Sequence, residues 1–371
     1  MKKISIVCSL ALILLAGLFV GEKYLDRQSD LPTYEPTSTA SDSPTSAPLT
    51  SGLASPELRT IPTAKVIPMR IHTFQTFNNC GPASLSMALS YHSISKSQAE
   101  LGQALRPYQV KSGDNDDKST TLDELAGKAQ EFGLLAYHRP NGNPEILKQF
   151  IAHDMPVITV TWLKPDDDIG HYRVMRGYDD NQNVFIQDDS YQGKNLAYTY
   201  DAFNVIWQKF NYEYLVLVPQ EKRALAEEIL GSDLDERISW SHAVSLSQAQ
   251  LEKNPDDVDA RFNLSVALHH TGDYQASIIE FEKVQNKLSF RTLWYQIEPL
   301  HSYYELGQYD KVFSISDSIL NKNNRAFSEL YILRGKIYLK QGKIDLARIE
   351  LEKAVVYNEN LKEAHDLLNS I

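Results

Sequence analysis

Cys80 is the residue of this sequence best suited to covalent chemistry. Pro82 fits the first turn of a helix, where its missing N–H costs nothing, and the apolar run from Ala83 to Leu89 predicts that a buried helix follows. We therefore expect Cys80 at the amino terminus of a helix, where backbone N–H groups and the helix dipole favour the thiolate. A thiolate attacks carbonyl carbon, whereas the alternative for any single cysteine is a small buried residue with no chemical role.

A thiolate nucleophile needs a base, and His171 is the histidine whose setting suits that role. The sequence from 170 to 187 predicts two strands joined by the turn Asp179-Asp180-Asn181. This hairpin brings Asp188 and Asp189 back beside His171, where a carboxylate can hold the imidazole tautomer and stabilise the imidazolium. Adjacent residues of a strand point to opposite faces, so the pattern predicts that one aspartate meets His171 and leaves open which one.

The sequence around these residues resembles a known family, the papain-like cysteine peptidases of the double-glycine, bacteriocin-processing type, and more closely its free-standing relatives. The resemblance covers about residues 68–219. It depends on the stretch from Gln75 to Ala83, on Gly-His-Tyr-Arg-Val from Gly170, and on Asp-Ser-Tyr from Asp189. It implies an α+β papain-like cysteine peptidase domain at residues 64–220 that acts on a peptide or protein substrate.

The resemblance also implies a role for each candidate residue. Cys80 would attack the carbonyl carbon, His171 would act as the base, and Gln75 would help to bind the oxyanion. The match of Asp-Ser-Tyr favours Asp189 over Asp188 as the residue that orients the imidazole. Such an enzyme is a peptidase when water accepts the acyl group and a peptidyl transferase when a second amine or thiol does. A non-catalytic peptide-binding scaffold of the same fold is the remaining alternative.

Neither a cofactor nor a metal is expected. The acid-rich stretches 113–117 and 166–168 lack the ligand spacing and distal glutamate of an EF-hand loop, so we interpret them as solvated loops. The sequence has no glycine-rich phosphate loop and no cysteine–histidine pattern typical of a zinc site. The chain has 37 basic and 48 acidic residues and a net charge of −11, and this balance argues against a nucleic-acid partner.

Residues 224–371 have the periodicity of helices rather than strands. Gly272, Gly307 and Gly342 recur at a constant spacing, each between two apolar segments of helical period. This part resembles tetratricopeptide repeats, which implies an all-α solenoid with a concave face for a protein partner. A stabilising extension that binds nothing is the alternative.

The sequence of residues 1–23 predicts a membrane anchor or signal segment. Lys2 and Lys3 precede an uncharged run from Ile4 to Val20, which just reaches the length needed to cross a bilayer. We expect an uncleaved single-pass anchor in the cell membrane with the following domains outside the cytoplasm, and a cleaved, secreted form is the alternative. Residues 24–63 are rich in Ser, Thr and Pro and predict a disordered linker.

Overall fold

The computed structural model describes residues 31–36, 60–106, 120–322 and 324–371. The predicted membrane segment, most of the predicted linker and the acid-rich stretch 113–117 therefore lie outside the described residues. None of the helices within the described ranges is both long enough and apolar enough to cross a membrane.

A mixed core of strands and helices occupies the part of the chain that ends near residue 219. In the described ranges its strands are β1 Ala64–Val66, β2 Leu135–Arg139, β3 Val157–Trp162, β4 Gly170–Asp179, β5 Val184–Asp189, β6 Gly193–Thr199 and β7 Tyr214–Val218. They form one sheet in the order β2-β7-β3-β4-β5-β6, with β1 paired to β4, and every pairing is antiparallel. The helices before residue 231 are α1 Cys80–Ser90, α2 Gln98–Leu105, α3 Leu122–Glu131, α4 Pro144–Ala152, α5 Tyr200–Trp207 and α6 Arg223–Leu230.

The helices and most strands of the sheet share an apolar core. Phe150 of α4, Trp207 of α5 and Tyr214 of β7 are fully buried in it. The core also includes Leu85 and Cys80 of α1, which place the start of that helix against the sheet.

The predicted hairpin around the turn at 179–181 is present as β4 and β5. Arg173 is directly opposite Asp189 in this ladder, and Val174 is opposite Asp188. The ladder shifts register between Met175 and Gly177, which marks a β-bulge. The alternation of strand faces therefore sends the two neighbouring aspartates to opposite sides of the sheet.

Residues 31–36 differ from the prediction of a disordered linker. Thr33 forms a β-bridge with Leu196 at the free edge of β6, and the N–H of Tyr34 donates to the carbonyl oxygen of Asn195 at 2.8 Å. The Tyr34 side chain is 8% exposed and its hydroxyl donates to Asp179 Oδ2 at 3.1 Å. Backbone pairing with an open edge and burial of one aromatic ring order this short segment, although its composition alone does not favour order.

The remainder of the described chain is helical. Its helices are α7 Glu236–Lys253, α8 Val258–Thr271, α9 Tyr274–Val284, α10 Thr292–Tyr295, α11 Glu298–Glu305, α12 Tyr309–Lys322, α13 Ser328–Lys340, α14 Ile344–Tyr357 and α15 Lys362–Asn369. Gly272, Gly307 and Gly342 have φ values of 87°, 71° and 70°, and each lies between two consecutive helices. Glycine adopts this left-handed conformation without the steric cost of a Cβ, which explains the spacing seen in the sequence.

Candidate active site

Cys80 is the first residue of α1, as predicted, and is 6% exposed. Asn79 occupies the cap position but makes no side-chain cap hydrogen bond. Its amide donates instead to Thr76 Oγ1 at 3.1 Å and to the carbonyl oxygen of Gln98 at 3.3 Å. The Asn79 side-chain oxygen therefore does not offset the positive end of the α1 dipole at Cys80.

His171 meets both Cys80 and Asp189. It lies two residues before Arg173, which is opposite Asp189, so the imidazole and the carboxylate are diagonal neighbours on one face of the sheet. Nε2 of His171 is 2.9 Å from Oδ1 of Asp189, and both side chains are buried. Cys80 is close enough to the imidazole to contribute to its raised pKa, and both side chains line the same cleft. Because Nε2 faces Asp189, Nδ1 is the ring nitrogen that remains for the thiol.

The Asp189 carboxylate is surrounded by donors. Oδ1 accepts the backbone N–H groups of Tyr191 at 2.7 Å and Gln192 at 2.8 Å, besides the contact with His171. Oδ2 lies 3.2 Å from Nε of Arg173, an ion pair whose geometry is not that of a hydrogen bond. Burial alone would raise the pKa of Asp189, but the charges of His171 and Arg173 and these hydrogen bonds hold it well below its usual range.

The pKa of His171 is raised above its ordinary value. Burial by itself disfavours the imidazolium, but the charge of Asp189 and the hydrogen bonds to Asp189 and Cys80 outweigh that effect. The arrangement therefore favours a protonated imidazole beside the sulfur, held in one orientation by a carboxylate that stays ionised.

Asp188 lies on the other face of β5. Its Oδ2 accepts from Nε of Arg176 at 2.8 Å, and its Oδ1 accepts from the backbone N–H of Asn195 at 2.8 Å. Arg176 is the residue at the β-bulge of β4. Of the two aspartates that the sequence left open, the structure brings Asp189 to His171 and gives Asp188 a buried ion pair away from it.

Gln75 is joined to the residue that follows Asp189. The hydroxyl of Ser190 donates to Gln75 Oε1 at 2.8 Å, and the N–H of Gln75 donates to the carbonyl oxygen of Ser190 at 2.8 Å. With Oε1 accepting from Ser190, the donor group of the Gln75 side chain is its NH₂, the kind of group that an oxyanion requires. Gln98 of α2 fixes the same segment by donating to the carbonyl oxygen of Phe74 at 2.7 Å.

A cleft of about 670 Å³ opens over these residues. Cys80, His171 and Gln75 all line it. Its remaining walls come from two segments, one before α1 and one before β4, together with Tyr191: Phe74, Thr76, Phe77, Asn78, Leu163, Ile169 and Gly170. The sequence-predicted residues other than Asp188 thus converge on one apolar-rimmed cleft, with Asp189 directly behind the imidazole.

Comparison with protein families matches residues 64–215 to the Peptidase_C39 like family and residues 328–360 to a tetratricopeptide repeat. Residues 64–215 therefore form a C39-like domain. This match and the antiparallel sheet with its helices confirm the predicted family and the predicted fold class, an α+β papain-like domain followed by all-α repeats.

Two solved structures are similar to part of this chain. One is described as a C39-like peptidase from Bacillus anthracis, with 16% identity, 42% of this chain and 98% of that chain covered, and a TM-score of 0.35. The other is the peptidase domain of Streptococcus ComA, a bifunctional ABC transporter involved in quorum sensing, with 20% identity, 41% and 100% coverage, and a TM-score of 0.32. No curated protein matches the chain.

The C39-like domain contains supporting residues that the sequence analysis missed. Arg173 is fully buried, holds Oδ2 of Asp189, and donates to the carbonyl oxygen of Leu163 at 2.7 Å. Arg173 lies two residues after His171 in a predicted strand, and this spacing predicts that both side chains lie on the same face of the sheet. That spacing was the available signal for Arg173. Ser190 and Gln98 carried no such signal, since their contacts with the segment around Gln75 depend on tertiary packing.

Proposed function

We propose that the C39-like domain is a cysteine peptidase. The observation that carries the proposal is the buried contact of 2.9 Å between His171 Nε2 and Asp189 Oδ1, at a cleft that His171 and Cys80, the first residue of α1, both line. Nucleophile, base and orienting group are the three roles that acyl transfer through a thiol requires.

In the first step, the Cys80 thiolate attacks the carbonyl carbon of a peptide bond and forms a C–S bond. The negative charge that develops on the carbonyl oxygen is stabilised by the Gln75 amide and by the backbone N–H of Cys80. His171 then gives its proton to the amide nitrogen, the C–N bond breaks, and the amine leaves. A thioester between Cys80 and the acyl part of the substrate remains.

In the second step, water attacks the thioester. His171, now neutral, takes a proton from that water, the C–S bond breaks, and the sulfur leaves as the thiolate. The products are a carboxylic acid and an amine, and the enzyme returns to its starting state. Asp189 stays ionised throughout and keeps the imidazole in one orientation.

The rim of the cleft indicates the class of substrate. Phe77, Phe74 and Ile169 are 80%, 52% and 40% exposed, which is unusual for large apolar side chains grouped at one opening. We propose an extended peptide segment with a large apolar residue near the scissile bond as the substrate, since such a residue would cover these side chains.

A peptide-cleavage assay tests the proposed activity. The full chain purified in detergent is offered fluorogenic peptides that differ only in an apolar or charged residue beside the scissile bond. We expect cleavage of the apolar series, and a fall of about a thousandfold or more in Cys80→Ala and His171→Ala. Cys8→Ala is the matched control and should cleave normally. Undiminished cleavage by Cys80→Ala would overturn the proposal.

We also propose that the protein is tethered to the cell membrane by residues 1–23 and binds a protein partner through its repeats. The uncharged run from Ile4 to Val20 supports the first part, and the repeat match at 328–360 supports the second. Protease added outside intact cells should digest the domains after residue 24 while the membrane fraction retains the amino terminus. Recovery of the uncleaved chain in the soluble fraction would contradict the tether.

A further inference from the structure

We propose that the helical region positions one wall of the peptidase cleft, through Arg291 and Tyr295. This proposal rests on the proposed peptidase function. The wall is the loop 163–169 that joins β3 to β4 and leads directly into Gly170 and His171. The N–H of Leu163 donates to the carbonyl oxygen of Ile169 at 2.8 Å, which closes the loop on itself.

Three residues of this segment line the cleft. They are Leu163, Ile169 and Gly170, which line the same cleft as Cys80. Ile169 is 40% exposed there and belongs to the apolar rim proposed to contact the substrate. The position of the loop therefore sets the width of the cleft on this side.

Arg291 binds the loop from the helical region. Its Nη1 is 2.6 Å from Oδ1 of Asp168, and its backbone N–H donates to Oδ2 of the same carboxylate at 3.1 Å. The Asp168 carboxylate thus accepts two hydrogen bonds from Arg291. Together they fix both the orientation of the carboxylate and its distance from Arg291. Asp168 immediately precedes Ile169, so the contact acts next to a residue that lines the cleft.

Tyr295 binds the same segment one helical turn later. A Cβ added to Gly170 would lie 2.7 Å from Cε1 of Tyr295, so the ring occupies the space that a side chain would need. The ring also packs edge-on against Trp162 and Phe210, with centroid distances of 5.5 Å and 6.0 Å. Glycine at 170 is therefore what lets the helical region approach the residue before His171.

The other side of the loop is bound from within the C39-like domain. Arg173 donates to the carbonyl oxygens of Trp162 at 3.2 Å and Leu163 at 2.7 Å, and its Nε pairs with Asp189. The loop is thus fixed at its start by an arginine that touches the Asp189 carboxylate and near its end by Arg291. Arg291 and Tyr295 act on the reaction through this wall, so they are positioning residues.

The test separates the shape of the cleft from the reactivity of the thiol. The full chain with Cys8→Ser is titrated with a peptide vinyl sulfone that carries a large apolar residue, and separately with iodoacetamide. In Arg291→Ala and in Asp168→Asn we expect KI for the vinyl sulfone to rise about fivefold, with kinact and the iodoacetamide rate unchanged. KI of the double variant should be no higher than KI of either single variant, because both substitutions break the same contact. Arg291→Lys should recover most of the affinity.

Arg261→Ala is the matched control, because it breaks an ion pair to Glu280 of 2.7 Å within the helical region. It should leave KI unchanged. Hydrogen exchange at the amides of 163–170 gives a second readout that does not depend on chemistry, and exchange should speed up in Arg291→Ala but not in Arg261→Ala.

The outcomes distinguish this proposal from the peptidase proposal. Unchanged exchange of 163–170 in Arg291→Ala, or an equal rise of KI in Arg261→Ala, would overturn the positioning role. A wild-type thiol that reacts with neither reagent below pH 7 would instead overturn the peptidase function, and the exchange measurement would still decide the role of Arg291.

Discussion

His171 interacts with the side chains of Asp189 and Cys80, and the charge on each is coupled to the protonation of the imidazole. With the imidazole protonated, Asp189 lies behind it as a carboxylate and Cys80 lies in front of it as a partner for the transferred proton. Burial makes each isolated charge costly, so the pair of Asp189 and Arg173 is needed to keep the carboxylate ionised inside the domain. The residues of the site thus stabilise one another as a set of charges.

Asp189→Asn should lower the pKa of His171. The carboxylate raises that pKa by charge and by hydrogen bonding, and the imidazolium is lost as the pH rises through it. In the wild type the alkaline fall of kcat/KM should therefore lie above the ordinary histidine value of about 6.5, and in Asp189→Asn it should move to lower pH. An NMR titration of the His171 ring measures the same shift without substrate.

Asp188→Asn discriminates between the two neighbouring aspartates. Its carboxylate faces Arg176 on the other side of β5, so the His171 titration should keep its wild-type midpoint even if the protein loses stability. A downward shift as large as that of Asp189→Asn would mean that Asp188 also orients the imidazole.

For the single residues, the sequence predicted most of the side chains that the structure brings together at the cleft. Cys80, His171 and the pair of aspartates follow from local patterns, a helix start and a hairpin of known period. Strand alternation predicted that the aspartates diverge, but choosing between them required the register of β4 against β5. Ser190 and Gln98 were not predictable, because their partners lie 115 and 24 residues away in the chain.

Among the elements, the segment 31–36 stabilises the free edge of the sheet. Tyr34 is buried beside Val184, Ile186 and Ala197, and its backbone pairs with Asn195. We expect Tyr34→Ala to lower the free energy of unfolding by about 2–3 kcal/mol through lost burial, and Tyr34→Phe by about 1 kcal/mol through the lost hydrogen bond to Asp179. Denaturant titration of the full chain measures both, and wild-type stability in Tyr34→Ala would mean that the segment does not dock.

Two helical glycines form a matched pair for substitution. A Cβ added at Gly335 of α13 would lie 2.8 Å from Cγ of the fully buried Leu351 in α14. A Cβ added at Gly127 of α3 would have no neighbouring atom within 4 Å. Gly335→Ala should therefore destabilise the protein by about 1–3 kcal/mol, and Gly127→Ala should stabilise it by about 0.5–1 kcal/mol. Denaturation midpoints that shift in the same direction for both variants would contradict this packing of α13 on α14.

The elements that the sequence predicted well are those whose signal is local. The helix from Cys80, the hairpin after Gly170 and the glycines between repeat helices each depend on spacing within one short stretch. The strand-like pairing of 31–36 depends instead on an open edge formed about 160 residues later, which no local pattern reveals. For that reason composition predicted a linker where the structure has a docked segment.

At the scale of the whole molecule, the C39-like domain and the helical region are joined by polar contacts as well as apolar ones. Asn263 donates to the carbonyl oxygen of Gln208 at 2.6 Å, and Gln296 donates to that of Lys209 at 2.9 Å. Arg139 donates to the carbonyl oxygen of Asp233 at 2.6 Å. The sequence predicted both regions but not this interface, because the residues that form it carry no periodic signal.

We expect the two regions to unfold together. Their shared contacts would be lost if either region unfolded alone, so calorimetry of the full chain should show one transition, with tryptophan fluorescence and circular dichroism changing at the same temperature. Two resolved transitions would mean that the interface adds little, and the helical region could then not hold the loop 163–169 in place.

The proposed pairing of Cys80 with His171 is tested most directly by the pH dependence of Cys80 alkylation. The full chain with Cys8→Ser is compared with the same chain that also carries His171→Ala. A thiolate–imidazolium pair predicts rapid alkylation below pH 7 that is lost in the His171→Ala variant. An unpaired thiol has a pKa of about 8.5, so slow alkylation that rises only above about pH 8 in both proteins would contradict the proposed catalytic role of Cys80 and His171.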